Sequence, residues 1–324
     1  MGIGDTPPLV IPRMRNYSRV SRKYRKGFIN APLIVTMSIV PFSFLALRDS
    51  YEESKYVVVA VPYDSTESWA RGTRFGPMAI IEASRYMDPY DIELKRFVNE
   101  MGIHTIFELP VLGKPVSSMI EIVETTVRRL RGDGKIPVLL GGEHTISFPA
   151  LRALSHEVDS IVILDAHPDF YDEYEGNRVS HATVCKRMSE LVGDIILIGV
   201  RTMDLDEVKN INETNSISIL LSEEIEKGLE ILNRIEGKRV YLSVDIDVLD
   251  PPQVPCIGNP EPGGLSYKQV LEVMRRVMEL SDVRCMDFVE FAPCPGMRSD
   301  SFLVARLVQK AIGYHSLYSG YDEL

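Results

Sequence analysis

The stretch SIVILDAHPD, residues 160–169, runs through four aliphatic residues into Asp165, His167 and Asp169, each two positions from the next. Residues two apart in an extended chain point to the same face, so the three side chains aim one way at the end of a strand. A second stretch, RVYLSVDID at 239–247, repeats the pattern, with an apolar run at 240–244 leading into Asp245 and Asp247. Aspartate is depleted in strands, and carboxylates gathered in a partly buried site repel one another and lose hydration. One divalent cation, or two, turns that penalty into a binding site.

Working outward from these runs, short Val-, Ile- and Leu-rich segments alternate with amphipathic ones from Tyr56 onward. Strands are predicted at 56–61, 136–140, 160–165, 195–199, 239–245 and 284–290. Helices are predicted at about 77–87, 115–131, 147–156, 181–192, 222–235, 266–280 and 299–316. Such alternation implies a mainly parallel sheet covered on both faces, hence a three-layer α/β/α domain. Pro77 after Gly76 suits a first helical turn, where the missing N–H costs little, and Ser299 is placed as the cap of the final helix. The polar motifs then fall at the C-terminal ends of strands, where open α/β sheets bind ligands.

The chain has 324 residues, 45% apolar and 25% charged, enough to bury a substantial core. No internal repeat or dividing linker is evident. A net charge of −10 argues against a general nucleic-acid surface and tilts toward a cationic ligand. Cys185, Cys256, Cys285 and Cys294 are widely spaced, without a Cys-x-x-Cys pair. That spacing indicates neither a disulfide framework nor a zinc ribbon, and it fits a reducing compartment.

Residues 1–50 are expected to form an arm or extension ahead of a single catalytic domain at 51–324. Arg13, Arg15, Arg19, Arg22, Lys23, Arg25 and Lys26 make a basic run, followed by an uncharged stretch at 27–47. Its length would suit a membrane span or a signal-peptide core, although Asn30, Pro32 and Pro41 weaken that reading. A packed or mobile arm is the preferred expectation, and a third reading takes Met37 as the natural start.

A third motif, Gly141-Gly142-Glu143-His144, closes the apolar run at 136–140. The glycines allow a sharp turn and leave His144 at the sheet's end. Alone, this histidine reads as a cap or core group, Asp-x-His-x-Asp as a solvated loop, and the 243–251 segment as a charged edge strand. Together they supply two imidazoles and four carboxylates, a mixed nitrogen and oxygen set that suits Mn²⁺, Fe²⁺ or Zn²⁺. Four carboxylates are many for one ion. A pair of ions about 3.5–4 Å apart would use them all.

At this point the chain resembles the ureohydrolases, the family of arginase and agmatinase. The matching strings are GGEHTIS at 141–147, DAHPD at 165–169 and SVDIDVLDPP at 243–252. They are joined in family order by VPYDSTESWARGTRFGP at 61–77, SHATV at 180–184, PEPGGLS at 260–266 and FVEFAP at 288–293. The resemblance runs from about Tyr56 to the C-terminus.

It implies two Mn²⁺ per chain, with His144 and Asp169 on one, His167 and Asp247 on the other, and Asp165 and Asp245 touching both. Such a pair lowers the pKa of a bridging water, so that a hydroxide attacks a guanidinium carbon and urea and an amine are released. Glu290 corresponds to the acid that holds the guanidinium, and His181 to a histidine proposed to shuttle protons to the leaving amine. Asp169 is counted with these catalytic residues as well as with the ligands. Without the resemblance, Glu290 reads as a buried ion-pair partner and His181 as a cap or surface group.

The resemblance favours agmatinase, with agmatine or an aminopropylated agmatine as substrate and putrescine or a longer polyamine as product. Arginases carry an Asn where this chain has Val179, and the acids Asp172, Glu173 and Glu175 are expected to rim the cleft or to form a solvated loop face. Two departures from agmatinases, Cys256-Ile-Gly-Asn-Pro260 before Glu261 and Ala182 in SHAT, lie near the expected entrance. Arginase or guanidinobutyrase specificity and a non-catalytic metal-binding subunit are the alternatives. No nucleic-acid or membrane partner is expected, and a cytoplasmic homo-oligomer is.

Overall fold

Valine, isoleucine and leucine fill the central strands so completely that Tyr56–Val61, Ile136–Gly141, Ser160–Leu164 and Ile195–Val200 are buried at every position. The computed structural model describes residues 41–319. Along them the strands are β1 (Tyr56–Val61), β2 (Tyr90–Asp91), β3 (Arg96–Phe97), β4 (Ile103–Ile106), β5 (Ile136–Gly141), β6 (Ser160–Leu164), β7 (Ile195–Val200), β8 (Ile217–Leu221), β9 (Arg239–Asp245) and β10 (Asp282–Val289). Eight of them form one sheet in the order β4-β1-β5-β10-β9-β6-β7-β8, and β2 and β3 make a separate short hairpin. Every pairing in the large sheet is parallel. All six predicted strands are present.

Alternate residues of each strand enter two cores, one on each face. Val58, Ala60, Val138, Leu140, Leu164 and Val244 pack with the helices Gly76–Ser84, Tyr267–Leu280 and Arg298–Tyr318. Val57, Val59, Leu139, Ile161, Ile163 and Tyr241 pack with Val116–Gly132, Ser147–Arg152 and Val184–Ser189. This is the three-layer α/β/α arrangement expected from the alternation of strand and helix.

Several details depart from expectation. The final helix begins at Arg298 with Met297 at the cap position, so Ser299 lies inside the first turn, its hydroxyl donating to Asp300 at 3.0 Å rather than capping. The segment expected as one helix at 222–235 breaks into 3₁₀ turns around the short helix Ile225–Gly228. At Gly228, a residue that weakens the helix, a Cβ would fall 2.0 Å from Leu220 Cδ1, so a larger residue would require the Leu220 side chain to shift.

The basic run at 13–26 and most of the uncharged stretch lie outside the described residues. The described end of that stretch forms a 3₁₀ turn, Phe44–Ala46, with Phe44 fully buried and its N–H donating to Thr105 Oγ1 at 3.0 Å. Among the described residues no helix is long and apolar enough to cross a membrane.

Candidate active site

Parallel register brings the three sequence motifs into one row. Leu164 pairs with Val244 and Val289 with Asp245, while Phe288 pairs with Leu140. Asp165, Asp245, Glu290 and the turn after Gly141 therefore emerge side by side at the C-terminal ends of β6, β9, β10 and β5. Gly142 makes the turn: a Cβ there would meet Tyr63 O at 2.0 Å, and its own N–H donates to Val61 O at 2.9 Å. Only glycine lets the chain turn this tightly and deliver His144 to the site.

The six predicted ligands converge. His144 Nδ1 lies 3.1 Å from Asp165, 3.2 Å from Asp169 and 3.3 Å from Asp245, each measured to Oδ2. His167 Nδ1 lies 2.8 Å from Asp247 Oδ2 and 3.8 Å from Asp165 Oδ1. Two donor groups result, His144 with Asp165 and Asp245, and Asp165 with His167 and Asp247. Asp165 belongs to both.

The hydrogen bonds behind these groups favour a cation between them. Tyr241 and Ser243 both donate to Asp287, Ser243 at 2.6 Å, so Ser243 Oγ is left to accept Nε2–H of His144 at 3.0 Å. That places the lone pair of His144 on Nδ1, facing three carboxylates. His144 Nδ1 and Asp165 Oδ2 are both buried without a hydrogen-bond partner among the described residues. Burial and the carboxylates of Asp247 and Asp169 push Asp165 up to about 7. Burial also drives Asp245 well above the usual carboxylate range, again with Asp247 beside it. His167 moves up to about 10 because Asp247, against the opposing effect of burial, favours its charged form. Buried acids that resist ionisation, beside orphaned lone pairs, are the signature of a polyanionic cradle that fits divalent metal ions.

Two residues adopt left-handed backbone conformations here without being glycine, Asp169 at φ 49° and Glu290 at φ 64°. Asp169 is pinned because its carbonyl accepts from the N–H groups of Cys185 and Lys186 at 3.1 and 3.3 Å. Glu290 donates its N–H to Gly142 O at 2.8 Å and accepts from His144 N–H through Oε1 at 2.6 Å. Strain held in this way by surrounding hydrogen bonds is concentrated at functional sites, which makes both residues candidates for a role here. Burial and the nearby Glu67 push the Glu290 carboxyl well above its usual range.

His181 opens a 3₁₀ turn, His181–Thr183, whose capping box joins Ser180 and Thr183. Its ring meets Tyr174 edge-on with centroids 5.6 Å apart, and its Nδ1 lies 3.3 Å from Thr66 Oγ1. Thr66 is held by the buried Glu143, which accepts from Thr66 N–H at 2.7 Å, Thr66 hydroxyl at 2.6 Å and Thr145 hydroxyl at 2.5 Å. Sequence reasoning gave Glu143 no role, although its place between Gly142 and His144 was a usable signal.

The cleft above these groups has a volume of about 300 Å³, and its wall includes Glu67, Trp69, Tyr171, Tyr174, Glu207 and Asn259. Among the described residues that line it, none is Lys or Arg. Asp172, Glu173 and Glu175 do not line it and are exposed, so of the two expected places they take the solvated loop face rather than the rim. Asp172 turns away to Arg187 at 2.8 Å, and Tyr171 and Tyr174, which flank Asp172 and Glu173, face the cleft instead. Val179 packs against the core. The acidic wall is made by Glu67, Asp204, Glu207 and Glu261. Burial pushes Glu67 and Glu207 each up to about 7.

A further correction concerns the cysteines. Cys256 and Cys294 form a disulfide with Cα atoms 5.4 Å apart, while Cys185 and Cys285 are buried and free. The two loops that follow the adjacent strands β9 and β10 run side by side at an Ile257–Phe291 bridge. Sequence spacing does not reveal that approach.

With fold and site in view, the chain belongs to the arginase family, whose sequence model matches residues 54–313. Within that family its likeness is to ureohydrolases of the agmatinase type. It is 37% identical over 277 residues to an N(1)-aminopropylagmatine ureohydrolase of Thermus thermophilus, covering 84% of this chain and 94% of that protein. It is 32% identical over 256 residues to the agmatinase of Bacillus subtilis, covering 77% of this chain and 88% of that protein. The crystal structure of agmatine ureohydrolase of Thermoplasma volcanium superposes with a TM-score of 0.80 at 33% identity, covering 89% of this chain and 98% of that one.

Proposed function

We propose that this protein is a two-metal ureohydrolase that splits agmatine or N1-aminopropylagmatine into urea and the corresponding amine. The observation that carries the reading is the pair of donor groups sharing Asp165, set beside Glu290 in a cleft lined by acids and, among the described residues, by no Lys or Arg side chain. His144, Asp165, Asp169 and Asp245 would hold one Mn²⁺, and Asp165, His167, Asp245 and Asp247 the other. Bound there, the ions supply Lewis acidity and a water acidic enough to act as a nucleophile near neutral pH.

The chain's own groups do the rest. Glu290 uses Oε1 on His144 N–H and leaves Oε2 to receive a guanidinium, a charge-assisted contact that orients the planar carbon. His181, steadied by Thr66 and Tyr174, carries a proton to the departing amine nitrogen. Trp69, Tyr171, Tyr174 and Met203 offer apolar wall for a methylene chain, and Asp204, Glu207 and Glu261 offer charge for its terminal ammonium. Those outer groups support the aminopropylated substrate, as does the name of the Thermus relative.

The test is urea release with Mn²⁺ from agmatine, N1-aminopropylagmatine, arginine and guanidinobutyrate. A substrate carboxylate placed in this acidic cleft lacks a cationic partner, so kcat/KM for the amine-ended substrates is expected to exceed that for arginine by about a hundredfold or more. Arginine or guanidinobutyrate outperforming both amine-ended substrates would refute the assignment.

A further inference from the structure

The disulfide lies within four residues of the site. From Cys256 the chain passes through Ile257, bridged to Phe291, then Gly258 and Asn259 in the cleft wall. A Cβ on Gly258 would lie 3.7 Å from Glu290 Oε2, and the side-chain amide of Asn259 sits 3.0 Å from His167 Nε2. Cys294, at the other end of the bond, follows Glu290 by four residues. Thus the bond ties the wall that carries Asn259 to the loop that leaves the guanidinium-facing acid. The hydrogen bonds that hold Cys256 otherwise are long, 3.3 Å from Ala292 N–H to its carbonyl and 3.2 Å from its own N–H to Asp300.

We propose that the Cys256–Cys294 disulfide is a reversible staple that positions residues 257–259 over the site, and that its reduction by a dithiol weakens substrate binding. Cys294 is exposed and Cys256 is buried, so attack comes at Cys294. A thiolate of the dithiol bonds to Cys294 Sγ and Cys256 leaves as a thiolate, taking up a proton. The second thiol of the reagent then displaces Cys294, which also ends as a thiol. Two electrons and two protons pass to the protein, and the reagent departs as a cyclic disulfide. Cys185 and Cys285 are buried in the core and do not compete. The metal-binding side chains stand on strand ends and their adjoining turns; among the described residues only His167 bonds to residues 257–259, through Nε2 to Asn259, while its Nδ1 stays on Asp247, so reduction acts on binding more than on turnover.

This inference rests on the ureohydrolase reading only for its kinetic readout. Full-length protein is prepared air-oxidised, and again after dithiothreitol treatment, gel filtration under nitrogen and re-equilibration with Mn²⁺. Thiol titration after denaturation is expected to count two thiols in the first sample and four in the second. KM for agmatine is expected to rise about five- to tenfold on reduction, with kcat within about twofold and metal content unchanged. Amide hydrogen exchange is expected to speed up in peptides covering 254–262. The double variant Cys256→Ser/Cys294→Ser should show the reduced-state KM with or without the dithiol. Four thiols in the air-oxidised protein would overturn the inference, as would equal KM and equal exchange in the two states of the wild type. If neither sample releases urea from any substrate, the ureohydrolase reading fails, and exchange at 254–262 alone decides the staple. Should the double variant not fold, the comparison of the two wild-type states still decides.

Discussion

Replacing Glu290 with glutamine separates the charge of this residue from its structural work. One carboxylate oxygen accepts His144 N–H at 2.6 Å, and Oε2 lies beside Gly258 at the cleft. A glutamine can keep an acceptor toward His144, so the turn that delivers the imidazole survives and the metal content is expected to match wild type. The cleft side changes character, because the amide then turns N–H groups toward a guanidinium that brings only donors. Losing one charge-assisted bond costs about 1.5–3 kcal/mol, or roughly 10- to 150-fold in kcat/KM, and a two-pronged contact loses more. The assay is initial-rate urea release from agmatine, paired with metal analysis of the same preparation. A kcat/KM within about threefold of wild type would remove Glu290 from substrate binding. Metal loss as complete as in His144→Ala would show instead that its charge is needed to assemble the site.

Asp165→Ala is expected to lose both ions, whereas His167→Ala keeps the His144 and Asp245 group and retains one; equal occupancy by elemental analysis would contradict a shared ligand. Glu143→Gln sets an amide N–H against the donors of Thr66 and Thr145, so the denaturant midpoint should fall by the equivalent of about 1–3 kcal/mol and kcat should drop as His181 loses its support. An unchanged midpoint and kcat would dismiss that relay. His315 supplies a pH test far from the metal groups: burial, with Lys55 nearby, lowers it to about 4, and it bonds Tyr56 and Val283 O at 2.9 Å each. The folded state then binds fewer protons than the unfolded chain between pH 6.5 and 4, so stability present above that window is lost as pH falls through it, by on the order of 3 kcal/mol. His315→Gln should flatten this slope in urea melts across the window, and an identical slope would exclude His315 as its source.

The central strands could be read from the sequence because they are buried on both faces and so carry unbroken aliphatic runs. The outermost strands could not. β4 and β8 close the two ends of the sheet, are only partly buried, and interleave His104, Thr105 and Ser218 with their apolar residues. The helix Leu205–Asn212 was also missed, although Asp204 and Glu207 spell its capping box. The convergence of the candidate ligands was legible because side chains two apart at a strand end share a direction wherever the strand lies. The cleft wall was harder: Glu67, Asn259 and the tyrosines reach the cleft from loops whose paths depend on tertiary packing, and for the same reason the sequence left the acids at 172–175 undecided between rim and solvated face. The Cys256–Cys294 pair, 38 residues apart, becomes visible only when β10 is seen beside β9.

The position of β10 bears on how such a chain is made. It is the last strand in sequence among the described residues, yet it lies fourth in the sheet, between β5 and β9. During synthesis the ribosome therefore delivers both neighbours before the strand that joins them, and until residues 282–289 arrive any sheet already formed has two open inner edges. Such edges recruit strands from other molecules. Chains truncated by a stop codon before Asp282 should accumulate as aggregates or be degraded rather than persist as smaller folded proteins. The sheet formed by residues 56–245 thus depends on a strand delivered only at 282–289, and a translation error that removes β10 is as damaging as one further upstream.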